Sequence, residues 1–145
     1  MAGIVVGVDG SGHSRKALEW AAAEAATHGA ALTVLVVHQA VRDVYGRVSH
    51  YEEDADLTEQ AKEAARVETE QVLSGLDDKP ASVTVTGAHG LPVEVLIEAS
   101  KDADLLVLGR RGAGGFARLM MGSVSDQVSR HAHCPVLIVP PAEEV

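Results

Sequence analysis

Two kinds of hydrophobic pattern alternate along the chain. Residues 3–9, GIVVGVD, and 32–38, LTVLVVH, are near-continuous runs of β-branched and aliphatic side chains, as in strands covered on both faces rather than strands with one wet face. Between them, apolar residues recur at helical spacing (Ala17, Leu18, Ala21, Ala22, Ala25), with Ser11 or Ser14 available as N-cap and Gly29 as a C-terminal stop. This predicts a strand, a helix and a second strand.

Residues 40–53 have no clean period and hold both tyrosines, and they read as a loop. The segment 54–75 places Leu57, Ala61, Ala64, Ala65 and Val72 on one side and the pair Glu63 and Arg66 on the other, with Gly75 at its end, which predicts a second amphipathic helix. A short strand follows at 82–87, then a helix with Pro92 in its first turn and Lys101 near the negative end of its dipole. Residues 104–109 form another buried run, 123–132 read as a helix with Ser123 as cap and Asp126 three residues on, and 136–140 as a last strand between prolines. Five strands alternating with four helices and joined by right-handed crossovers predict a Rossmann-like α/β fold, a doubly wound five-stranded parallel sheet with helices on both faces. An order of 3-2-1-4-5 would make the first and fourth strands neighbours, and ligands of such sheets sit where the strand order reverses, beyond the carboxyl ends of the strands.

Length and composition set the limits. A chain of 145 residues is one domain of ordinary size, 1–145, without internal repeat or linker. With 21 acidic and 12 basic side chains, a formal charge of −9 argues against a broad nucleic-acid or anionic-membrane surface. The start carries no secretory pattern and no apolar run approaches a membrane span, so the expectation is a cytoplasmic protein. The single cysteine, Cys134, rules out an intramolecular disulfide framework and agrees with a reducing compartment.

Against that acidic background, GRRGAGGFARLMMGS (109–123) has three arginines, Arg110, Arg111 and Arg118, and no acidic residue. Its glycines free backbone amides, and the helix that begins at Ser123 adds the positive end of a dipole, a combination suited to phosphate. A glycine-rich loop is also ordinary punctuation between elements, and Ser123 could simply cap its own helix. A P-loop fails because no lysine follows Lys101. A dinucleotide fingerprint on Gly112, Gly114 and Ala117 fails because no helix follows directly. HAHC (131–134) reads as a helix end before a proline-led strand rather than as a metal site. Asp9 ends the first strand, where a carboxylate either makes the turn or meets a ribose hydroxyl.

The spacing that holds is Gly109, two residues, Gly112, nine residues, Gly122 and Ser123. With VVGVDGS near the start, VLVVH ending the second strand and GSVSDQVSRHAHCPVLIVP near the end, the chain resembles the universal stress protein family over essentially its whole length. The glycine spacing resembles that of the family's ATP-binding branch. The resemblance implies that Asp9, with Val8 close by, faces the ribose or adenine side, and that His38 and Gln39 border the adenine. It implies that Gly109 and Gly112 let the chain bend around ribose and phosphates, and that Gly122, Ser123 and Val124 offer amides and a hydroxyl to the phosphates. Arg110 and Arg118 would be further phosphate contacts. It also implies a homodimer through the strand 136–140, whose short aliphatic edge needs a partner.

The resulting expectation is an ATP-binding regulatory protein of the stress response, with binding better supported than turnover. A magnesium ion bridging the phosphates is compatible with this, although no carboxylate cluster suggests a protein-built cage. The alternatives are a slow ATPase or nucleotidyl transferase of the same superfamily, and an interaction module without ligand. For the enzymatic alternative, Asp9 is the carboxylate to change and Glu68 stands as a distant control.

Overall fold

The structure is a computed structural model that describes residues 3–9, 14–39, 41–42, 48–49, 52–109 and 124–140. Its elements are β1 (Ile4–Val8), α1 (Arg15–His28), β2 (Ala31–Gln39), β3 (Val41–Arg42), β4 (Val48–Ser49), α2 (Glu52–Ser74), β5 (Ser82–Gly90), α3 (Pro92–Ser100), β6 (Leu105–Gly109) and β7 (Val136–Val139). A further helix, α4, includes residues 124–131, between β6 and β7. The main sheet has five strands in the order β5-β2-β1-β6-β7, and every neighbouring pair is parallel. With the small β3–β4 ribbon set aside, this is the expected 3-2-1-4-5 order.

The continuous apolar runs are explained by two cores, one on each face of the sheet. Ile4, Val6 and Val8 of β1 join Leu32, Val34 and Val36 of β2 in one core, against Ala17, Leu18, Ala21, Ala22 and Ala25 of α1 and Ala65 and Val72 of α2. Val5, Leu35, Leu106 and Leu108 point the other way, against Leu96 of α3 and Val128 of α4. Successive strand side chains alternate between faces, so a strand buried on both has no place for a polar residue.

Several boundaries differ from the sequence expectation. The interval 40–53 is not all loop: Val41 pairs with Ser49 and Arg42 with Val48 in an antiparallel ribbon, and α2 already begins at Glu52. Strands of two residues are too short to show a period, and the acidic Glu52, Glu53 and Asp54 suit a helix's first turn. β5 runs to Gly90 rather than residue 87, because β2 continues to Gln39 and supplies its backbone partners. On α2, Leu57 is exposed and so is Ala64. The buried line passes through Ala65, Thr69 and Val72, one position round the helix from Leu57 and Ala64, and the Thr69 hydroxyl is satisfied by donating to the Ala65 carbonyl at 2.7 Å. The expected exposed pair is present, with Arg66 bonded to both Glu63 and Glu70.

Gly29 ends α1 in the left-handed region, at φ 59°, and its N–H donates back to the last turn. Gly3 also has positive φ, 82°, and an added Cβ would lie 2.4 Å from the Ala31 carbonyl oxygen. Its N–H donates to Asp104 Oδ2 at 3.0 Å and its carbonyl accepts from the Asp104 N–H at 2.8 Å, which fixes the entry of β1 beside β6. Nothing lies within 4 Å of a Cβ added at Gly29. Gly29→Ala should therefore cost only the backbone term, about 1–2 kcal/mol, whereas Gly3→Ala adds a backbone collision and should cost more. Urea unfolding of the two variants checks this ordering, and an equal or reversed ordering contradicts it.

Candidate functional site

β1 and β6 lie side by side with Gly7 level with Leu108, so both strands end together, at Val8 and Gly109. β1 connects through α1 to β2 on one side, while the chain reaches β6 on the other side only after β5 and α3. The winding therefore reverses between β1 and β6, and a crevice opens beyond their carboxyl ends. On the β2 side the crevice has a wall. Val8 pairs with Val36, but β2 and β5 run on together through His38–His89 to Gln39–Gly90. This overhang of three residues rises about 10 Å. On the other side, Gly109 is level with Val139 of β7.

Helix α1 begins at this crevice and the described part of α4 reaches it, and each is tied to a strand end by a buried serine. Ser14, the N-cap residue of α1, makes no side-chain cap bond; its hydroxyl donates instead to Asp9 Oδ1 at 3.4 Å. Of the two N-cap candidates in the sequence, Ser11 and Ser14, it is Ser14 that holds the position, but its backbone is in the right-handed helical region (φ −91°, ψ −1°) rather than the extended conformation from which a serine oxygen reaches the first amides. Ser125 of α4 donates to the Gly109 carbonyl at 3.3 Å. Both serines are buried, at 4% and 7% exposure, so each hydroxyl needs a protein partner.

Of the residues singled out from sequence, Val8 is buried at the end of β1, Asp9 follows it half-buried, Gly109 ends β6 and Val124 is the first described residue of α4. The structure brings these four to the mouth of the crevice. Gln39 lies farther out, as the last residue of the β2 overhang. Arg110, Gly112, Arg118, Gly122 and Ser123 lie outside the described residues, as does Arg111, and so does the proposed capping of α4 by Ser123. Within α4, Asp126 pairs with Arg130 at 3.3 Å.

Residues that sequence reasoning passed over also gather here. His89 stacks on His38, with ring centroids 5.3 Å apart; only the long β5 puts it there, and no motif marked it. Ser125 carried no signal beyond its place after Ser123. Glu68 is not distant from Asp9. Burial raises its carboxyl above the ordinary value, the Arg15 guanidinium opposes the rise, and the negative charges of Asp9 and Glu19 add to it. Arg15 itself spans the two helices, bonding Glu19 at 3.4 Å and Gln71 at 3.0 Å. Helix α2 thus carries a second carboxylate within electrostatic reach of Asp9, which a helical wheel of α2 alone does not reveal. Glu68 therefore cannot serve as a neutral control for Asp9.

Burial also raises the Cys134 thiol, which disfavours a reactive thiolate. Among the described residues, no three His, Cys, Asp or Glu side chains are grouped to hold a metal ion. No helix among them is long and apolar enough to cross a membrane.

A doubly wound parallel sheet with a crevice at the reversal of strand order defines a class of small Rossmann-like α/β domains. Comparison with known proteins makes this specific: the universal stress protein family matches residues 2–140, and the chain belongs to that family. A universal stress protein of Mycobacterium tuberculosis is 37% identical over 95% of this chain, and the chain spans 48% of that relative's length. A universal stress protein of Thermus aquaticus is 36% identical, with 94% of this chain and 96% of the relative covered. Among solved structures, UspA of Lactobacillus plantarum superposes with a TM-score of 0.71 at 25% identity, covering 95% of this chain and 97% of that one. A universal stress protein solved in complex with cAMP superposes with a TM-score of 0.66 at 27% identity, covering 94% of each chain.

The Glu68 environment has a measurable consequence. A carboxyl whose pKa is raised on folding binds its proton more tightly in the folded state, so its contribution favours the fold at low pH and is lost as pH rises through the raised value. Glu68→Gln should therefore raise the Tm at pH 7, by an amount worth less than about 1 kcal/mol because the side chain is partly solvated. The gain should vanish well below the ordinary carboxyl value of 4.5. Thermal unfolding of both proteins across that range checks it; a variant less stable at pH 7 contradicts the assignment.

Proposed function

We propose that this universal stress protein binds ATP in the crevice beyond β1 and β6 and acts as a nucleotide-dependent regulatory protein of the stress response. The observation that carries the reading is the convergence of Asp9 and Gly109 at one switch point, with Ser125 of α4 bonded to the Gly109 carbonyl. A carboxylate beside one strand end suits ribose hydroxyls, and a helix N-terminus beside the next suits phosphate. The similarity to a family member solved with cAMP supports an adenine nucleotide as the ligand class.

In this reading Val8, Asp9 and Gln39 border the nucleoside. Gly109, Gly112, Gly122, Ser123 and Val124 surround the phosphates with amides and a hydroxyl, and Arg110 and Arg118 add charge. Magnesium, where it accompanies ATP, would be held by the phosphates, because the described residues offer no cluster of three or more ligating side chains. The same reading makes the protein a cytoplasmic homodimer. β7 is an edge strand of the sheet and largely aliphatic, and pairing with a second copy would cover it.

Calorimetry with ATP tests the reading. Saturable binding below millimolar ATP is expected, and Gly109→Ala should weaken it at least about tenfold, the effect of about 1.4 kcal/mol, while far-UV circular dichroism stays that of the parent. Absence of binding by the unchanged protein overturns the reading. Unchanged affinity in Gly109→Ala would move the ligand away from the end of β6.

A further inference from the structure

We infer that Ser14 is a positioning residue for Asp9, holding its carboxylate in the orientation that selects the ribose hydroxyls of a ribonucleotide. The inference rests on the nucleotide reading above and assigns part of that site's selectivity to a residue on α1.

Three observations lead to it. First, Ser14 occupies an N-cap position, where a serine ordinarily turns its oxygen toward the first free amides of the helix in an extended backbone conformation. Here φ is −91° and ψ −1°, a right-handed helical conformation, and no cap bond is made. The helix forgoes a cap worth about 1 kcal/mol. Second, the hydroxyl reaches Asp9 Oδ1 at 3.4 Å. An ionised carboxylate only accepts, so the proton in this bond is the serine's. With Ser14 only 4% exposed, water does not readily replace that donor. Third, the base from which Ser14 acts is rigid. The next residue, Arg15, is tied to Glu19 within α1 and to Gln71 of α2, and Ala17 and Leu18 are fully packed in the core.

A carboxylate on a short side chain turns about its last bond at little cost, and that freedom is lost when one oxygen is held from below. The Ser14 donor is one of the contacts that restrict the plane of Asp9 before any ligand arrives, and each such restriction lowers the ordering cost of a contact to ribose hydroxyls. The neighbouring negative charge of Glu68 acts in the same direction, since it disfavours swings of the Asp9 carboxylate toward α2. Ser125 makes the equivalent tie on the other side of the crevice, to a backbone carbonyl. Only the Ser14 tie ends on a side chain able to contact a ligand.

The test compares ATP with 2′,3′-dideoxy-ATP in the unchanged protein, Ser14→Ala and Asp9→Asn, with binding by calorimetry and folding by thermal unfolding. The unchanged protein should prefer ATP by roughly tenfold, the effect of hydrogen bonds to a charged group. Ser14→Ala should reduce that preference to about threefold or less by weakening ATP alone, with the dideoxy affinity unchanged. Asp9→Asn should also reduce the preference. A serine that merely supports the fold would weaken both nucleotides equally, and that result overturns the inference, as does an unaltered preference. ATP binding without any ribose preference in the unchanged protein also overturns it while leaving the nucleotide reading intact; no binding of either nucleotide removes both. Should Ser14→Ala fail to fold, Ser14→Cys keeps the volume, replaces the hydroxyl with a weak donor and gives the same comparison.

Discussion

The burial of β1 on both faces and along both edges is the constraint on which the rest of the molecule depends. Its backbone pairs with β2 on one side and β6 on the other, and its side chains are divided between the two cores. A strand so enclosed lies at the centre of the sheet, and the chain must wind away from it in both directions. The crossover that leaves β5 and returns at β6 creates the reversal, and the reversal creates the crevice. Gly7 shows how closely the layers meet beneath it: an added Cβ would come within 2.8 Å of Leu96 on α3 and 2.9 Å of Leu108 on β6.

Around that crevice the chemistry is divided between strand ends and helix starts. Asp9 and Gly109 are strand-end residues, and each is bonded to a buried serine, Asp9 to the N-cap residue of α1 and Gly109 to Ser125 of α4. Each bond joins a strand end to a helix. The overhang of β2 and β5, with its stacked histidines, supplies a wall on one side only. The asymmetry suits a ligand with a flat, weakly polar end and a charged end.

What was legible in the sequence follows from how local each signal is. β1, β2 and β6 announce themselves because burial on both faces leaves long apolar runs, broken within β2 only by Thr33 before the overhang begins. Asp9 and Gly109 were identifiable because the topology rule needs only the strand ends. The end of β5 was not legible, since Gly87, Ala88, His89 and Gly90 have little strand preference and are extended only because β2 offers them a partner. The same non-local cause hid His89 beside His38. Ser14 reads as a cap in sequence, whereas its contact with Asp9 forms only once β1 has ended and α1 has packed. Glu68 looked remote for a similar reason, being separated from Asp9 by two elements in the chain. The family resemblance added the glycine-rich interval between β6 and α4, most of which lies outside the described residues.

The central claim is that the ligand site is the reversal of winding between β1 and β6, and amide chemical-shift mapping by NMR during titration with ATP tests it most directly. The account predicts saturable shifts that are largest at Asp9, Gly109 and Val124 and in the interval 110–123, with smaller ones at Val8 and along the His38–Gln39 overhang. Saturable shifts confined to the opposite, amino end of the sheet, around Ile4, Leu32 and Leu105, would contradict it.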